Sequence, residues 1–168
     1  MSAALKKKLC MLGASGVGKT SLVARYVHSI FSDKYLTTLG VKISKKTIEL
    51  NGIACDVMLW DLAGEDEFVT VQTSYLRNAH GYLLVVDGTR SETLEVAESL
   101  QQRAREVAGN VPFWLALNKA DLADRWAIGD DRIGLLVERG WKIQRTSALS
   151  GQGVEEVFAA IATEMTAV

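Results

Sequence analysis

The sequence has no excess of either charge and no long hydrophobic run. Its net charge is −1, so the overall balance does not indicate binding to nucleic acid or to an anionic membrane. The apolar stretch after the lysines at 6–8 is too short for a signal peptide or a membrane span. Ser2 excludes myristoylation and the final residues MTAV lack a prenylation cysteine, so we expect no lipid anchor and a cytoplasmic location.

The sequence is also poor in cysteine. Cys10 and Cys55 both lie inside apolar runs, which favours buried thiols in a reducing compartment over a disulfide or a metal site. With 168 residues, of which 48% are hydrophobic and 23% charged, the chain has the composition of a globular protein with a full hydrophobic core. We therefore expect a single domain over residues 1–168.

Apolar runs typical of strands alternate along the chain with segments of helical periodicity. The predicted strands are 5–12, 41–50, 53–60, 81–87, 112–118 and 141–147, and the predicted helices are 19–29, 67–78, 91–108, 130–139 and 154–165. LLVV and FWLAL are unbroken apolar runs, as expected of buried parallel strands, whereas Asn51-Gly52 between two strand patterns predicts a hairpin. The pattern predicts a doubly wound α/β fold with a six-stranded, mostly parallel sheet, one antiparallel hairpin edge and about five flanking helices.

The loop after the first predicted strand has the pattern of a phosphate-binding loop. Residues 13–20 read GASGVGKT, which fits G-x-x-x-x-G-K-[ST] directly between a strand and a helix. Glycines let backbone N–H groups turn toward phosphates, and the following helix adds its positive end. In such a loop Lys19 would reach the β- and γ-phosphates, and the Thr20 hydroxyl would bind Mg²⁺. The alternative, a glycine-rich turn with a chance lysine, explains neither the flanking strand nor the flanking helix.

A second polar loop, Asn118-Lys119-Ala120-Asp121, follows the fifth predicted strand. The Asp121 carboxylate can accept hydrogen bonds from both N1–H and the exocyclic amine of guanine, whereas adenine lacks that pair of donors. An acceptor left without its donors discriminates strongly against the wrong base. NKAD alone is a common polar turn, but two parallel strands after a phosphate-binding loop it indicates guanine recognition.

With three further motifs, the chain resembles a Ras-superfamily small GTPase, and most of all the Rab branch. The motifs read, in order, GASGVGKTS, YLTTLGVK, WDLAGEDEF, NKAD and RTSALS, and YLRNAHG and VVDGT are also similar to Rab sequences. The resemblance implies a P-loop NTPase G domain that binds GTP or GDP with Mg²⁺ and hydrolyses GTP slowly. It also implies that the switch regions bind effectors, exchange factors and GTPase-activating proteins.

The resemblance assigns roles to individual residues. Thr38 would close on Mg²⁺ and the γ-phosphate, Asp61 would hold Mg²⁺, and the N–H of Gly64 would meet the γ-phosphate. Phe31 and Tyr35 would contact the nucleotide from the segment before Thr38. The other implied nucleotide contacts are Ser15, Gly16, Val17, Gly18, Lys19, Thr20, Ser21, Gly64, Asn118, Lys119, Asp121, Ser147, Ala148 and Leu149. The implied catalytic group is Lys19, Thr38, Gly64 and Glu65, and the implied metal ligands are Thr20, Thr38 and Asp61.

Three positions depart from the family pattern. Leu149 replaces the usual lysine near the base, and Leu62 replaces a common threonine. Glu65 stands where the family has the glutamine that orients the attacking water. Because a carboxylate can accept a hydrogen bond from that water, we expect Glu65 to support hydrolysis rather than only to face solvent. Asp66 and Glu67 are expected to be acids at the N-terminus of the predicted helix 67–78.

The segment FSDKYLT contains no arginine. We therefore expect slow intrinsic turnover that a partner accelerates. A GTP-loaded binding module with negligible hydrolysis is the alternative function. A P-loop kinase ranks last, because the sequence has no evident lid and such an enzyme gains nothing from NKAD.

In the predicted strand 41–50, the apolar residues lie at odd positions near the start and at even positions near the end. Val41 and Ile43 share one face of a regular strand, whereas the later apolar residues at 48 and 50 share the other. If the later pair faces the core, the first pair lies outward near the switch. There it would form, with two aromatic residues, a state-dependent surface that we call the partner patch: Val41, Ile43, Trp60 and Tyr75. The alternatives are a β-bulge that returns both pairs to the core, or cover of the outward pair by the chain termini.

Overall fold

The computed structural model describes residues 5–28, 40–66 and 70–167, and it contains the predicted sheet. The strands are β1 (Leu5–Gly13), β2 (Val41–Leu50), β3 (Ile53–Leu62), β4 (Gly81–Asp87), β5 (Phe113–Asn118) and β6 (Ile143–Arg145). They lie in the order β2-β3-β1-β4-β5-β6, and β2 runs antiparallel to β3 while the other neighbouring pairs are parallel. The predicted six-stranded, mostly parallel sheet with one hairpin edge is therefore confirmed.

Helices cover both faces of this sheet. The described residues form four α-helices: α1 (Lys19–His28), α2 (Glu92–Ala108), α3 (Asp130–Glu138) and α4 (Val154–Thr166). The apolar residues of α1 and α4 share one core, in which the rings of Tyr26 and Phe158 stack with centroids 4.1 Å apart. Those of α2 and α3 share a second core on the opposite face. In the part of the chain that the structure describes, no helix is long and apolar enough to cross a membrane.

The strand β4 shows why the strands in the middle of the sheet are predicted well from the sequence. All seven residues of GYLLVVD are buried, because neighbouring strands flank it and helices cover both of its faces. An unbroken apolar run in this position removes apolar surface from water on both sides of the sheet. The carboxyl ends of β1, β4 and β5 are thereby fixed side by side, and their loops form one surface.

One predicted helix is wrong. The sequence predicts a helix over 67–78, whereas the described residues from 70 to 78 form only a short 3₁₀ helix at Thr73–Leu76. The run VTVQT is rich in β-branched side chains, which lose rotamer freedom in an α-helix. Val71 and Leu76 are instead buried in the core beneath α2. The described residues after Asp66, from 70 onward, contain no α-helix before α2. Glu67 lies outside the described residues.

The antiparallel pair β2–β3 is regular from end to end. Val41 pairs with Leu62, and the register continues without interruption to Leu50 opposite Ile53, which makes Asn51-Gly52 the expected two-residue loop. The β-bulge considered above is therefore excluded. As the parity change predicts, the apolar residues at the two ends of β2 face opposite sides of the sheet.

Candidate nucleotide-binding site

The phosphate-binding loop lies at the carboxyl end of β1 and leads directly into α1. Lys19, the first residue of α1, is 5% exposed and its Nζ donates to the carbonyl oxygens of Gly13 at 3.3 Å and Ala14 at 3.0 Å. Burial lowers the pKa of Lys19 to about 8, with the Asp61 carboxylate opposing the shift and Arg90 adding to it. The ammonium group is thus held across the start of the loop, where a bound phosphate would further stabilise its charged form.

The base loop after β5 touches the phosphate loop directly. Asn118 Nδ2 donates to the carbonyl of Val17 at 2.9 Å, and both residues are buried. A Cβ atom on Gly18 would lie 2.3 Å from the same amide nitrogen, and Gly18 has φ +106°. Only glycine meets both requirements, since other residues rarely adopt this φ and would clash. The second glycine of the motif is therefore needed for contact between the two loops.

Lys119 links the same two loops through its side chain. Its Nζ donates to the carbonyl of Gly16 at 3.1 Å and pairs with Asp87 Oδ2 at 2.9 Å. Its backbone has φ 67°, a left-handed conformation that is uncommon outside glycine. Such strain persists only where the surroundings impose it. Lys119 is held by its two side-chain contacts and by the hydrogen bond that Leu122 N–H donates to its carbonyl at 2.9 Å.

Asp87, the last residue of β4, is a buried centre of charge behind the phosphate loop. Burial alone would raise the pKa of Asp87, but hydrogen bonds from Thr89, Lys119 and Arg90 hold it below its ordinary value. Arg90 Nε donates to Asp87 Oδ2 at 3.0 Å, and Arg90 Nη2 donates to the carbonyl of Ser15 at 2.8 Å. The carboxylate therefore remains ionised and orients two cationic side chains toward the loop.

Two oxygen groups near Lys19 fit a divalent metal. Thr20 Oγ1, on the first turn of α1, donates to Asp61 Oδ2 at 2.6 Å, and Asp61 is 1% exposed near the end of β3. Hydroxyl and carboxylate oxygens are the ligands that Mg²⁺ prefers, with substrate phosphates completing its shell. The structure therefore brings together two of the three predicted metal ligands, and the third, Thr38, lies outside the described residues.

The segment after β3 lies directly against the phosphate loop. Ser15 N–H donates to the carbonyl of Glu65 at 3.0 Å, and Glu65 N–H donates to the carbonyl of Gly13 at 3.1 Å. A Cβ atom on Gly64 would lie 2.5 Å from Ser15 Cα, so the close approach requires glycine. The Glu65 carboxylate, however, forms an ion pair with Arg103 on α2. Its main chain is thus at the phosphate loop while its side chain is held by the neighbouring helix.

The predicted base-recognition residues meet at the ends of β5 and β6. Ser147 Oγ donates to Asp121 Oδ1 at 2.7 Å, and Thr146 Oγ1 donates to Asn118 Oδ1 at 3.0 Å. Thr146 and Ser147 are fully buried, whereas Asp121 is exposed and oriented by the buried serine. Leu149, where the family has lysine, is 52% exposed. An exposed apolar side chain therefore stands where the family has a charge.

The structure brings together most of the predicted site residues. Gly16, Thr20 and Ser21 are half-buried along the loop and the first turn of α1, and Ala148 is buried beside Ser147. The predicted contacts Phe31, Tyr35 and Thr38 lie outside the described residues. Sequence reasoning missed four residues that orient this site: Asp87, Arg90, Arg103 and Thr146. For the first two a signal existed, because the DGTR segment follows a buried strand at the same sheet edge.

The partner patch lies on the α2 side of the β2–β3 hairpin. Ile43 is 48% exposed, while Val41, Trp60 and Tyr75 are half-buried. The rings of Trp60 and Tyr75 are tilted with centroids 6.1 Å apart, and Lys8 Nζ lies 3.8 Å from the Trp60 ring centroid. Val41, Trp60 and Tyr75 also pack against the second core, so Ile43 is the most exposed residue of the patch, and one cation lies beside Trp60.

Comparison with known proteins agrees with this geometry. The family model described as "Ras: Ras family" matches residues 8–167. Ras-related protein Rab-1A of Dictyostelium discoideum is 36% identical over 160 residues, which cover 94% of this chain and 79% of that protein. Ras-related protein Rab-13 of Canis lupus familiaris is 34% identical over 160 residues, with the same coverage of both chains. The chain therefore belongs to the Ras family of small GTPases and is similar to its Rab members.

Proposed function

We propose that this protein is a guanine-nucleotide switch that binds GTP and GDP with Mg²⁺ and hydrolyses GTP slowly. The observation that carries the proposal is the direct contact between its two loops. Asn118 and Lys119 of the base loop donate to the carbonyls of Val17 and Gly16 in the phosphate loop. One nucleotide spanning both loops would then receive phosphate contacts from α1 and base contacts from Asp121.

In this proposal the side chains of the site have separate roles. Lys19 would bind the β- and γ-phosphates, and the oxygens of the half-buried Thr20 and the buried Asp61 would hold Mg²⁺ together with Thr38. The chemistry that Mg²⁺ supplies there is neutralisation of charge on the phosphates. The N–H of Gly64 reports the presence of the γ-phosphate. Loss of that group on hydrolysis would release the segments that contain Thr38 and Gly64.

The nucleotide released from purified protein tests this proposal most directly. We expect heat-denatured protein to release GDP or GTP, and we expect refilled protein to bind fluorescent GDP at least a hundredfold more tightly than fluorescent ADP. A protein that carries ADP or ATP, or that binds both bases equally, would show that the base assignment is wrong.

Turnover is expected to be slow in the isolated chain. The segment FSDKYLT between α1 and Thr38 contains no arginine that could act as a catalytic finger. Single-turnover hydrolysis should therefore proceed at about 10⁻⁴ to 10⁻² s⁻¹, the range of Ras and Gα proteins. The ion pair between Glu65 and Arg103 favours the second candidate, a GTP-loaded binding module, because it keeps the carboxylate on α2. Hydrolysis below this range under single-turnover conditions would favour the binding module.

We also propose that the partner patch binds an effector in the GTP-bound state. Its exposed Ile43 lies one strand away from Asp61, so a change at the metal site can reach it through β3. A GTP-loaded preparation of Ile43→Glu should lose partner binding that the parent shows with GTP and not with GDP. Ile53→Glu is the matched control, because Ile53 is 53% exposed at the far end of the same hairpin. Equal losses in both variants would exclude a specific patch.

A further inference from the structure

Three consecutive carbonyl groups of the phosphate loop, those of Ser15, Gly16 and Val17, accept hydrogen bonds from side chains. These side chains lie at the ends of the neighbouring strands β4 and β5. Two of these donors, Asn118 and Lys119, belong to the base loop described above. The third is Arg90, which follows β4 and donates through Nη2 to the carbonyl of Ser15 at 2.8 Å. Arg90 is separated from Ser15 by 75 residues, so this contact is created by the order of the strands rather than by local sequence.

The guanidinium of Arg90 forms a bridge rather than a single contact. Its Nε donates to Asp87 Oδ2 at 3.0 Å while its Nη2 holds the Ser15 carbonyl. Asp87 is 1% exposed, so the fixed end of the bridge is anchored in the core. The planar fork of an arginine can make both bonds at once with a fixed angle between them, and a lysine ammonium on a flexible stem cannot.

This bridge determines the direction of a backbone donor. The peptide between Ser15 and Gly16 is planar and trans, so its N–H points opposite to its carbonyl. With the carbonyl held by Arg90, the Gly16 N–H is directed away from Arg90, and we infer that it faces the inner side of the loop. In phosphate-binding loops that inner side is where backbone N–H groups bind phosphate oxygens.

We propose that Arg90 is a positioning residue for nucleotide binding, which holds the Ser15–Gly16 peptide in the orientation that binds phosphate. The inference rests on the proposed guanine-nucleotide function, because it concerns the phosphate end of the same site. Arg90 acts through the backbone of the loop, and its role depends on the two-point bridge to Asp87 and Ser15 rather than on its charge alone.

Two substitutions separate the bridge from the charge. Arg90→Gln removes both, and Arg90→Lys keeps the charge but cannot reproduce the fork. Loss of one charge-assisted hydrogen bond should accelerate dissociation of fluorescent GDP roughly tenfold in both variants. Arg132→Gln is the matched control, because Arg132 has a similar side-chain exposure of 38%, against 39% for Arg90, and pairs with Glu98 on the surface between α2 and α3.

The phosphorus-31 spectrum of bound GDP supplies a readout that a purely structural role would not change. We expect the β-phosphate resonance to shift in both Arg90 variants and to match the parent in Arg132→Gln. Thermal unfolding of each variant checks that the chain is folded. Parental dissociation and an unshifted resonance in Arg90→Gln, or full recovery of both in Arg90→Lys, would overturn the inference. Failure of the parent itself to bind GDP would overturn the proposed function, and this inference with it.

Discussion

The ion pair between Arg103 and Glu65 leads to a prediction about hydrolysis. Arg103 lies in the C-terminal half of α2. The side chain of Arg103 is 30% exposed and that of Glu65 is 23% exposed. Val71 N–H lies 3.5 Å from the same carboxylate oxygen, at the limit of a hydrogen bond. If Glu65 must reach the attacking water, its carboxylate first has to leave Arg103. Replacing Arg103 with glutamine should therefore accelerate hydrolysis rather than impair it.

The size of the effect follows from the exposure of the pair. Exposed ion pairs stabilise by about 0.2–1 kcal/mol, whereas hydrogen bonds to charged groups contribute about 1.5–3 kcal/mol. A half-buried pair lies between these values, so we take about 1 kcal/mol, which corresponds to about a fivefold change in the released population. Arg103→Gln should then raise the single-turnover rate by up to about fivefold, and high salt should produce part of the same increase in the parent.

Single-turnover hydrolysis of bound GTP, followed by phosphate release, measures this rate. Arg105→Gln is the control, because Arg105 is an exposed arginine on the same helix. On the same reasoning Glu65→Gln should stay within roughly tenfold of the parent, which is about 1.4 kcal/mol of barrier. Glu65→Ala should lose more than tenfold. If Glu65→Ala hydrolyses GTP as fast as the parent, or Arg103→Gln is slower than Arg105→Gln, Glu65 does not act through release from α2.

Three further predictions concern the base, the metal and the thiols. Asp121→Asn should weaken GTP binding sharply and favour xanthine nucleotides, because the amide can donate to the xanthine C2 oxygen; unchanged GTP affinity by fluorescence titration would contradict guanine recognition. Thr20→Asn should bias the protein toward GDP or an empty site and reduce the Mg²⁺ dependence of nucleotide release, since the hydroxyl that bonds Asp61 is lost. Burial raises the pKa of the Cys10 thiol to about 12 and also raises that of Cys55. At pH 8 native protein should therefore react slowly with a thiol reagent, whereas urea-unfolded protein should react at both cysteines at once; rapid labelling of native protein would show that the thiols are accessible.

The parts of the fold that sequence predicts well are those whose signal is local. The glycine-rich loop, the Asn51-Gly52 hairpin and the buried run of β4 each depend on residues adjacent in the chain. The prediction of a helix over 67–78 was wrong, because acids followed by apolar residues are also found where a loop packs onto the core. The β-branched residues of that segment favour extended backbone, and the burial of Val71 and Leu76 does not require a helix.

The contacts that orient the site are long-range. The position of Asp87 and Arg90 after a buried strand places them at the sheet edge, but it does not identify their partners. Arg90 reaches Ser15 across 75 residues, and Arg103 reaches Glu65 across 38. Each arginine would be taken from sequence as a solvated charge on or near a helix. Only the strand order, which places β4 beside β1, shows that the loop after β4 lies next to the phosphate loop.

The same strand order makes the two ends of the nucleotide site physically dependent on each other. Asp87 forms an ion pair with Lys119 of the base loop and accepts a hydrogen bond from Arg90 behind the phosphate loop. One buried carboxylate therefore orients donors that follow two strands, β4 and β5. Thr146 after β6 in turn orients Asn118, which holds the carbonyl of Val17. We therefore expect a change in any of these side chains to alter both base and phosphate binding. Free energies measured for substitutions at the two ends should then not add. Because residues that share a network couple in this way, we expect phosphate affinity in this protein to depend on three strand ends rather than on the glycine-rich loop alone.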